Sequence, residues 1–319
     1  MRLSFIPRCR NLPAMPRSHR LLAVLVAVLW GVNFLAIRTS LEHFPPFLLV
    51  ALRWSVLAVP TLLLIPRPRV PVRWLVGYGL GFGVAQFALL YWGMATGMPT
   101  GLASLVLQAS APFTVLLGAA FLREPLTRRR ALGVGVAVAG LAVVGSQRFA
   151  GASALPFLLS VAGGFGWAIG NICSRQAQAP NPFHLTMWMT VVPPLPMFAL
   201  SLLVEGPERV GAALGTAFTA DARPAVLALL YTCLPATVLA SGLWTWLMTR
   251  HPASTVAPFS MLVPVTGLTV AWLVLGERLT VVELLGCVVV VVGVLFASFG
   301  GRSRREVPTP AEATVPEPT

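Results

Sequence analysis

The sequence contains little charge and no lysine. Only 10% of its 319 residues are charged and 56% are hydrophobic, whereas about a quarter of a typical soluble domain is charged. A water-soluble fold could not bury so much apolar surface, so a soluble globular protein is excluded. The apolar runs are continuous and do not alternate with polar residues, which also excludes a transmembrane β-barrel. The composition predicts an all-α membrane protein.

Cysteine is scarce, and its spacing excludes a cysteine-based metal site or disulfide framework. No CxxC pair occurs among the four cysteines, which are Cys9, Cys173, Cys233 and Cys287. Three of them fall in apolar runs, so we interpret them as inert buried thiols. A GxxxxGK[ST] phosphate-binding loop is also absent from the sequence. We therefore predict no metal and no cofactor.

Histidines and carboxylates are not arranged for catalysis. The four histidines all fall at the edges of apolar segments, at His19, His43, His184 and His251. None has a carboxylate at helical spacing, as general-base or metal chemistry would require. A membrane-embedded transferase, the alternative from a different functional class, is therefore disfavoured, and we predict that the protein is not an enzyme.

The formal net charge is +13, and all 23 basic residues are arginines. In a nucleic-acid-binding protein they would form a stripe on a soluble face, but here they lie between apolar segments. With the amino terminus inside, 17 arginines fall on the inner side and five on the outer side. This bias predicts a multi-pass protein of the bacterial inner membrane with both termini cytoplasmic. The predicted partners are the lipid bilayer and a small-molecule substrate, with no nucleic acid; oligomeric state is left open.

Ten apolar segments are long enough to span a bilayer, which needs roughly 20 helical residues. The turn signature Gly97-Met98-Pro99-Thr100-Gly101 divides one long uncharged stretch into two of them. The predicted spans are 21–37, 46–65, 74–95, 100–121, 130–146, 153–174, 184–204, 224–247, 254–275 and 281–299.

The second half of the chain repeats features of the first half. Glu124-Pro-Leu-Thr matches Glu277-Arg-Leu-Thr at an offset of 153 residues, and the same offset relates several structural residues. These pairs are Pro99 with Pro252, Gly133 with Gly286 and Gly140 with Gly293. At the start of each half, a tryptophan precedes an arginine by eight residues, Trp30 before Arg38 and Trp167 before Arg175. Five spans per half imply an inverted-topology repeat of the kind found in transporters.

The repeat divides the chain into a first unit at 20–147 and a second at 148–300. Residues 1–19 form an arginine-rich leader, with Met15 as an alternative start, and the Pro-, Glu- and Thr-rich residues 301–319 are predicted to be disordered.

These motifs resemble the EamA family of the drug/metabolite transporter superfamily. The likeness covers about residues 20–300 and rests on Trp30-Gly31-Val32-Asn33, Arg53 and the closing Glu-x-Leu-Thr before a glycine-rich helix. The segment from Gly97 to Gln108 resembles bacterial exporters of O-acetylserine and cysteine within that family. The resemblance implies ten helices in two inverted repeats, a central cavity lined by the first four helices of each half, and peripheral fifth and tenth helices.

Polar residues deep in the spans are the candidate substrate-binding groups, because the bilayer makes them costly. The amides are Asn33, Gln86, Gln108 and Asn171. Each can donate and accept hydrogen bonds, which suits a zwitterionic amino acid, but each could also simply join two helices. Arg53 is a candidate partner for a substrate carboxylate; its alternative is to extend toward the nearer membrane surface.

Aromatic, proline and acidic residues complete the set of candidates. Trp30 and Trp167 are predicted to line the cavity because they recur in both halves, although tryptophans usually lie at the membrane interface. Prolines inside the spans kink helices and are candidate hinges for alternating access, at Pro112, Pro258 and Pro264.

The carboxylates near the span ends are given structural roles. Glu124 and Glu277 are expected to be solvated and paired with neighbouring arginines, and Thr280-Val-Val-Glu283 predicts a capping box. No acid remains near mid-membrane, so the sequence identifies no proton carrier.

The sequence therefore predicts an exporter of small polar metabolites, such as cysteine or O-acetylserine, that works by alternating access. Export of an aromatic compound or a cationic drug is the alternative within transport. A cationic drug would favour an acid in the cavity, and the sequence offers none there.

Overall fold

A computed structural model describes residues 15–151 and 154–298, and every regular element in those ranges is helical. Most of the predicted leader (1–14) and the predicted tail (301–319) lie outside the described residues. The ten helices that follow the predicted spans are α1 Arg17–Leu41, α2 Pro46–Leu64, α3 Val72–Ala95, α4 Thr100–Leu122, α5 Arg128–Gly151, α6 Leu155–Ala177, α7 Pro182–Val204, α8 Arg223–Arg250, α9 253–275 and α10 Val281–Ser298.

Within the described residues, nine of these helices contain a stretch long and apolar enough to cross a membrane, and the tenth, over Val281–Ala297, is a shorter apolar helix. The helices begin and end within a few residues of the predicted spans. A short helix, Pro207–Gly215, joins α7 to α8 and was not predicted. Consecutive helices run in opposite directions because most connections are short. We call the end of the bundle where α1 begins the N-terminal face and the other end the distal face.

The two repeats are related by reciprocal packing of α5 and α10. A Cβ added to Gly140 would lie 2.7 Å from the Val290 amide nitrogen, and one on Gly293 would lie 2.4 Å from that of Ala137. These two contacts are the same contact after a shift of 153 residues, which is the offset seen in the sequence. Glycine is required at both sites because the helix backbones approach too closely for a side chain.

The first helix of each repeat packs against the other repeat. Helix α1 lies against α8 and α9, and α6 lies against α3 and α4. Because each first helix packs against the other repeat, the two halves form one bundle, and both repeats bound a central space.

The third helix of each repeat contains a π-helical segment, at Gly79–Gln86 in α3 and Leu234–Leu239 in α8. In each segment a backbone carbonyl accepts an indole N–H: Trp54 donates to Gly83 at 2.9 Å and Trp30 donates to Ala236 at 2.9 Å. Gly83 and Ala236 are again 153 residues apart. A π-turn widens the helix and frees backbone groups, and these tryptophans satisfy them.

The fourth helix of each repeat ends in the same backbone motif. Arg123 after α4 and Gly276 after α9 both adopt left-handed conformations, with φ of 53° and 66°. The next amides, of Glu124 and Glu277, each donate to a carbonyl six residues earlier at 3.2 Å. A turn that contains a left-handed residue is a common way for an α-helix to end. It places two glutamates at equivalent positions, Glu124 on the N-terminal face and Glu277 on the distal face.

Candidate substrate cavity

A cavity of about 680 Å³ occupies the centre of the bundle. Its walls include residues from all ten helices, and the polar and aromatic lining includes Trp30, Asn33, Arg53, Gln86, Gln108, Trp167 and Asn171. The structure thus brings together, around one space, all seven residues proposed from the sequence as cavity candidates.

The cavity reaches the N-terminal face. Its lining there includes Glu124, Arg130 and Arg175, whereas on α4 the lining begins at Ser104, one helical turn inside Thr100 at the distal face. Helices α5 and α10 also contribute to the wall near this opening, through residues such as Val134 and Ala297. The fifth and tenth helices, which were expected at the periphery, therefore also contribute to the cavity wall. They pack on each other at the edge of the bundle and also form part of the cavity mouth.

Arg53 is buried in the cavity wall, with only 4% of its surface exposed. Its Nη1 donates to the Tyr91 hydroxyl at 2.7 Å and its Nη2 to the Thr237 hydroxyl at 2.9 Å. The guanidinium carbon lies 4.2 Å from the centre of the Phe87 ring. Arg53 therefore does not extend to the membrane surface, so that alternative is wrong.

The charge of Arg53 is held by neutral groups. No carboxylate in the described chain lies within ion-pair distance of it, and its buried Nε has no hydrogen-bond partner there. Hydroxyl groups and aromatic faces orient a guanidinium, but they do not neutralise it. The cavity wall thus presents an oriented cation with unfilled hydrogen-bonding capacity.

Two of the four amides also have unfilled hydrogen-bonding capacity. Asn33 is 8% exposed and Gln86 is 3% exposed. Their carbonyl oxygens, Asn33 Oδ1 and Gln86 Oε1, are buried without a hydrogen-bond partner in the described structure. A buried acceptor without a partner costs roughly 1–3 kcal/mol, so such a group needs an explanation.

The other two amides join the repeats. Gln108 Nε2 lies 3.5 Å from the Met261 sulfur, and Asn171 Nδ2 donates to the Thr114 hydroxyl at 3.1 Å. Gln108 and Met261 are repeat equivalents, 153 residues apart, so this contact lies where the two repeats meet. For these two amides the helix-joining role is present alongside the position in the cavity wall.

The two repeated tryptophans occupy matching positions. Trp30 on α1 packs against Trp244 on α8 at 5.2 Å between ring centres. Trp167 on α6 packs against Phe82 on α3 at 5.9 Å. In each case the first helix of one repeat meets the third helix of the other, and both indoles line the cavity.

The candidate hinge prolines lie at or beside breaks in helical geometry. Helix α4 changes to a 3₁₀ turn at Leu107–Ala109, just before Pro112. Helix α9 has a 3₁₀ segment at Ala257–Met261, which contains Pro258 and is followed by Pro264. A proline ring removes a backbone donor and clashes with the preceding turn, which accounts for these positions. Hinge motion at the three prolines stays a prediction.

The glutamates differ in their partners. Glu124 forms an ion pair as expected, although its partner is Arg175 at the end of α6 and not an arginine next to it in the sequence. Among the described residues Glu277 has no arginine as an ion-pair partner, so that expectation is wrong there; its carboxylate accepts from the amides of Thr100 and Gly101 at 2.8 and 2.9 Å. Glu283 forms the predicted capping box, in which the Thr280 amide donates to its carboxylate at 2.8 Å and the Glu283 amide donates to the Thr280 hydroxyl at 3.2 Å.

Sequence reasoning missed the groups that hold Arg53. Tyr91 and Phe87 lie one turn apart on α3, and an aromatic pair on a span was not distinguished from ordinary helix packing. Thr237 lies in the other repeat, so no local pattern connects it with Arg53. Burial of an arginine without an acid was the one available signal that polar partners had to exist.

The sequence profile of the EamA-like transporter family matches residues 18–146 and again residues 154–299. The "Probable amino-acid metabolite efflux pump" of Salmonella typhimurium is 40% identical over 297 residues, covering 91% of this chain and 98% of that protein. The Escherichia coli protein of the same name is 38% identical, covering 92% and 99%.

Two more distant matches also cover most of the chain. A "Probable terminal-alkyne amino-acid exporter" of Streptantibioticus cattleyicolor is 28% identical and covers 90% of this chain and 96% of that protein. A solved crystal structure matches with a TM-score of 0.58 at 19% identity, over 89% of this chain and 97% of that one. At that identity the match shows the fold alone. Each similarity spans both repeats and not a single half.

Proposed function

Because this chain belongs to the EamA-like transporter family, we propose that it exports amino-acid metabolites across the bacterial inner membrane. Two relatives that match almost the full chain are named as amino-acid metabolite efflux pumps. The observation that carries the proposal is Arg53, a buried cation in the cavity wall with no carboxylate partner in the described chain. A carboxylate on the substrate would supply that partner.

The chemistry of the cavity favours amino acids over cationic drugs. Glu124 is the one carboxylate in the described lining, it lies at the mouth, and Arg175 already neutralises it. A cationic drug would meet the uncompensated charge of Arg53 without an acid to balance it. Within the amino-acid class, cysteine and O-acetylserine are the proposed substrates, from the resemblance of the segment between Gly97 and Gln108.

We further propose an orientation and a transport mode. The arginine bias supports a cytoplasmic position for the N-terminal face, in which case the cavity would open to the compartment from which substrate is collected. Export then requires a second state in which the distal face opens, and an inverted repeat supports two such states from one fold.

The experiment is flux in proteoliposomes with radiolabelled cysteine and O-acetylserine, with and without an imposed pH gradient. Saturable flux that unlabelled substrate inhibits and that exceeds empty liposomes is the expected result. Dependence on the gradient would reveal proton coupling. Phenylalanine is included because aromatic rings line much of the cavity. Absence of flux for all three compounds from correctly folded protein would overturn the amino-acid assignment.

A further inference from the structure

The two unpartnered amide oxygens of the cavity belong to residues that lie close in the chain to groups packed around Arg53. Gln86 immediately precedes Phe87, whose ring packs on the guanidinium at 4.2 Å. Asn33 lies one turn along α1 from Trp30, which donates to Ala236, the neighbour of the Thr237 that holds Arg53. The cation and both free acceptors therefore belong to one region of the cavity.

We propose that Asn33 Oδ1 and Gln86 Oε1 form a binding site for the α-ammonium group of the substrate, while Arg53 binds the carboxylate. This inference rests on the proposed function and names the atoms that would bind the substrate's amino group. An ammonium carries three donors and no acceptor, so two free carbonyl oxygens match it. Because these acceptors are neutral, they do not hold a cation strongly unless the carboxylate is bound as well.

The site should therefore distinguish an amino acid from the same molecule without its amino group. A desamino analogue keeps the carboxylate for Arg53 but leaves both amide oxygens buried and unpaired. Sites built to hydrogen-bond a ligand group reject analogues that lack it, because their own polar groups are then left without partners. We expect L-cysteine to be preferred over 3-mercaptopropionate by at least about 10-fold.

The test measures inhibition of radiolabelled L-cysteine flux by unlabelled L-cysteine and by 3-mercaptopropionate, in reducing buffer. Asn33→Leu and Gln86→Leu should each reduce the preference for the amino compound by several-fold. Asn33→Asp and Gln86→Glu keep a hydrogen-bond acceptor at each site and should preserve the preference for L-cysteine. Gln108→Leu is the matched control, since its amide already contacts Met261; it should leave the preference intact even if flux falls.

The outcomes separate this inference from the proposed function. Saturable cysteine flux with equal inhibition by both compounds, or a preference that neither leucine variant alters, would overturn the ammonium site and leave the transport proposal standing. No flux of any amino acid would overturn both. If a leucine variant is recovered unfolded, the aspartate and glutamate variants and the unmodified protein's preference still decide the question.

Discussion

The two repeats have similar backbone geometry around the cavity but contribute different polar side chains to its wall. The first repeat contributes the buried Arg53 and three of the four amides of the wall, whereas the equivalents of those three amides have neither an amide nor a charge. These equivalents are Gly170 for Asn33, Leu239 for Gln86 and Met261 for Gln108. The backbone, in contrast, repeats closely, down to the π-helical segments and the helix ends. Under the proposed alternating access, the shared backbone would allow two states, while Arg53 and the three amides of the first repeat would keep the substrate bound to the same wall in both.

The largest expected effect comes from removing the charge that makes the first repeat distinctive. Arg53→Gln should lower kcat/KM for amino-acid flux by about 10- to 100-fold, the range for a lost hydrogen bond to a charged group. Flux in proteoliposomes measures it. Arg209→Gln is the matched control, since Arg209 is exposed on the short helix. Equal activity of the Arg53 variant and the unmodified protein would show that the asymmetry has no role in binding.

A smaller effect is expected from changing the helix-packing contacts that the two repeats share. Gly140→Val and Gly293→Val overpack the reciprocal contacts of α5 and α10, so each should destabilise the protein by about 1–3 kcal/mol. Thermal unfolding in detergent should show similar losses for the two variants. Gly135→Val provides the control on the same helix, because a Cβ there meets no other atom within 4 Å. A large loss for only one of the two glycines would contradict equivalent packing.

The smallest effect concerns the indole donors of the two π-helical segments. Trp30→Phe and Trp54→Phe keep an aromatic ring but remove the N–H that reaches Ala236 or Gly83. Each should lose about 1 kcal/mol of unfolding free energy. Trp272→Phe, at a residue 57% exposed, should be nearly neutral. Denaturant-induced unfolding measures all three, and a neutral result at Trp30 and Trp54 would mean that those carbonyls find other donors.

Helix positions could be predicted from the sequence because lipid forces long apolar runs to be helical. The predicted start of α2 at residue 46 and the end of α3 at residue 95 match the structure. Helix α1 extends four residues beyond its predicted span at each end, since a helix continues past the apolar run into the interface. The capping box at Thr280 and Glu283 was also predictable, because its signature is local.

Features that depend on contacts between helices could not be predicted. The π-helical segments have no composition of their own, and each forms where a tryptophan from another helix donates to a freed carbonyl. Glu277 sits beside Arg278 in the sequence, which suggested an ion pair, but its partners are amides 177 and 176 residues away. The break in α7 at Thr190–Pro193 divides a span that hydropathy treats as continuous.

The π-helical segments have a consequence for how such a chain tolerates changes in length. Each π-turn accommodates one residue more than an α-turn, and the surplus rotates the rest of the helix by about 100°. A single-residue deletion within Gly79–Gln86 would convert the segment toward a regular α-helix. It would turn Tyr91 and the face that holds Arg53 relative to the first half of α3, without altering any loop. Insertions and deletions inside a membrane helix can thereby reshape a binding wall while the number and order of the spans stay the same.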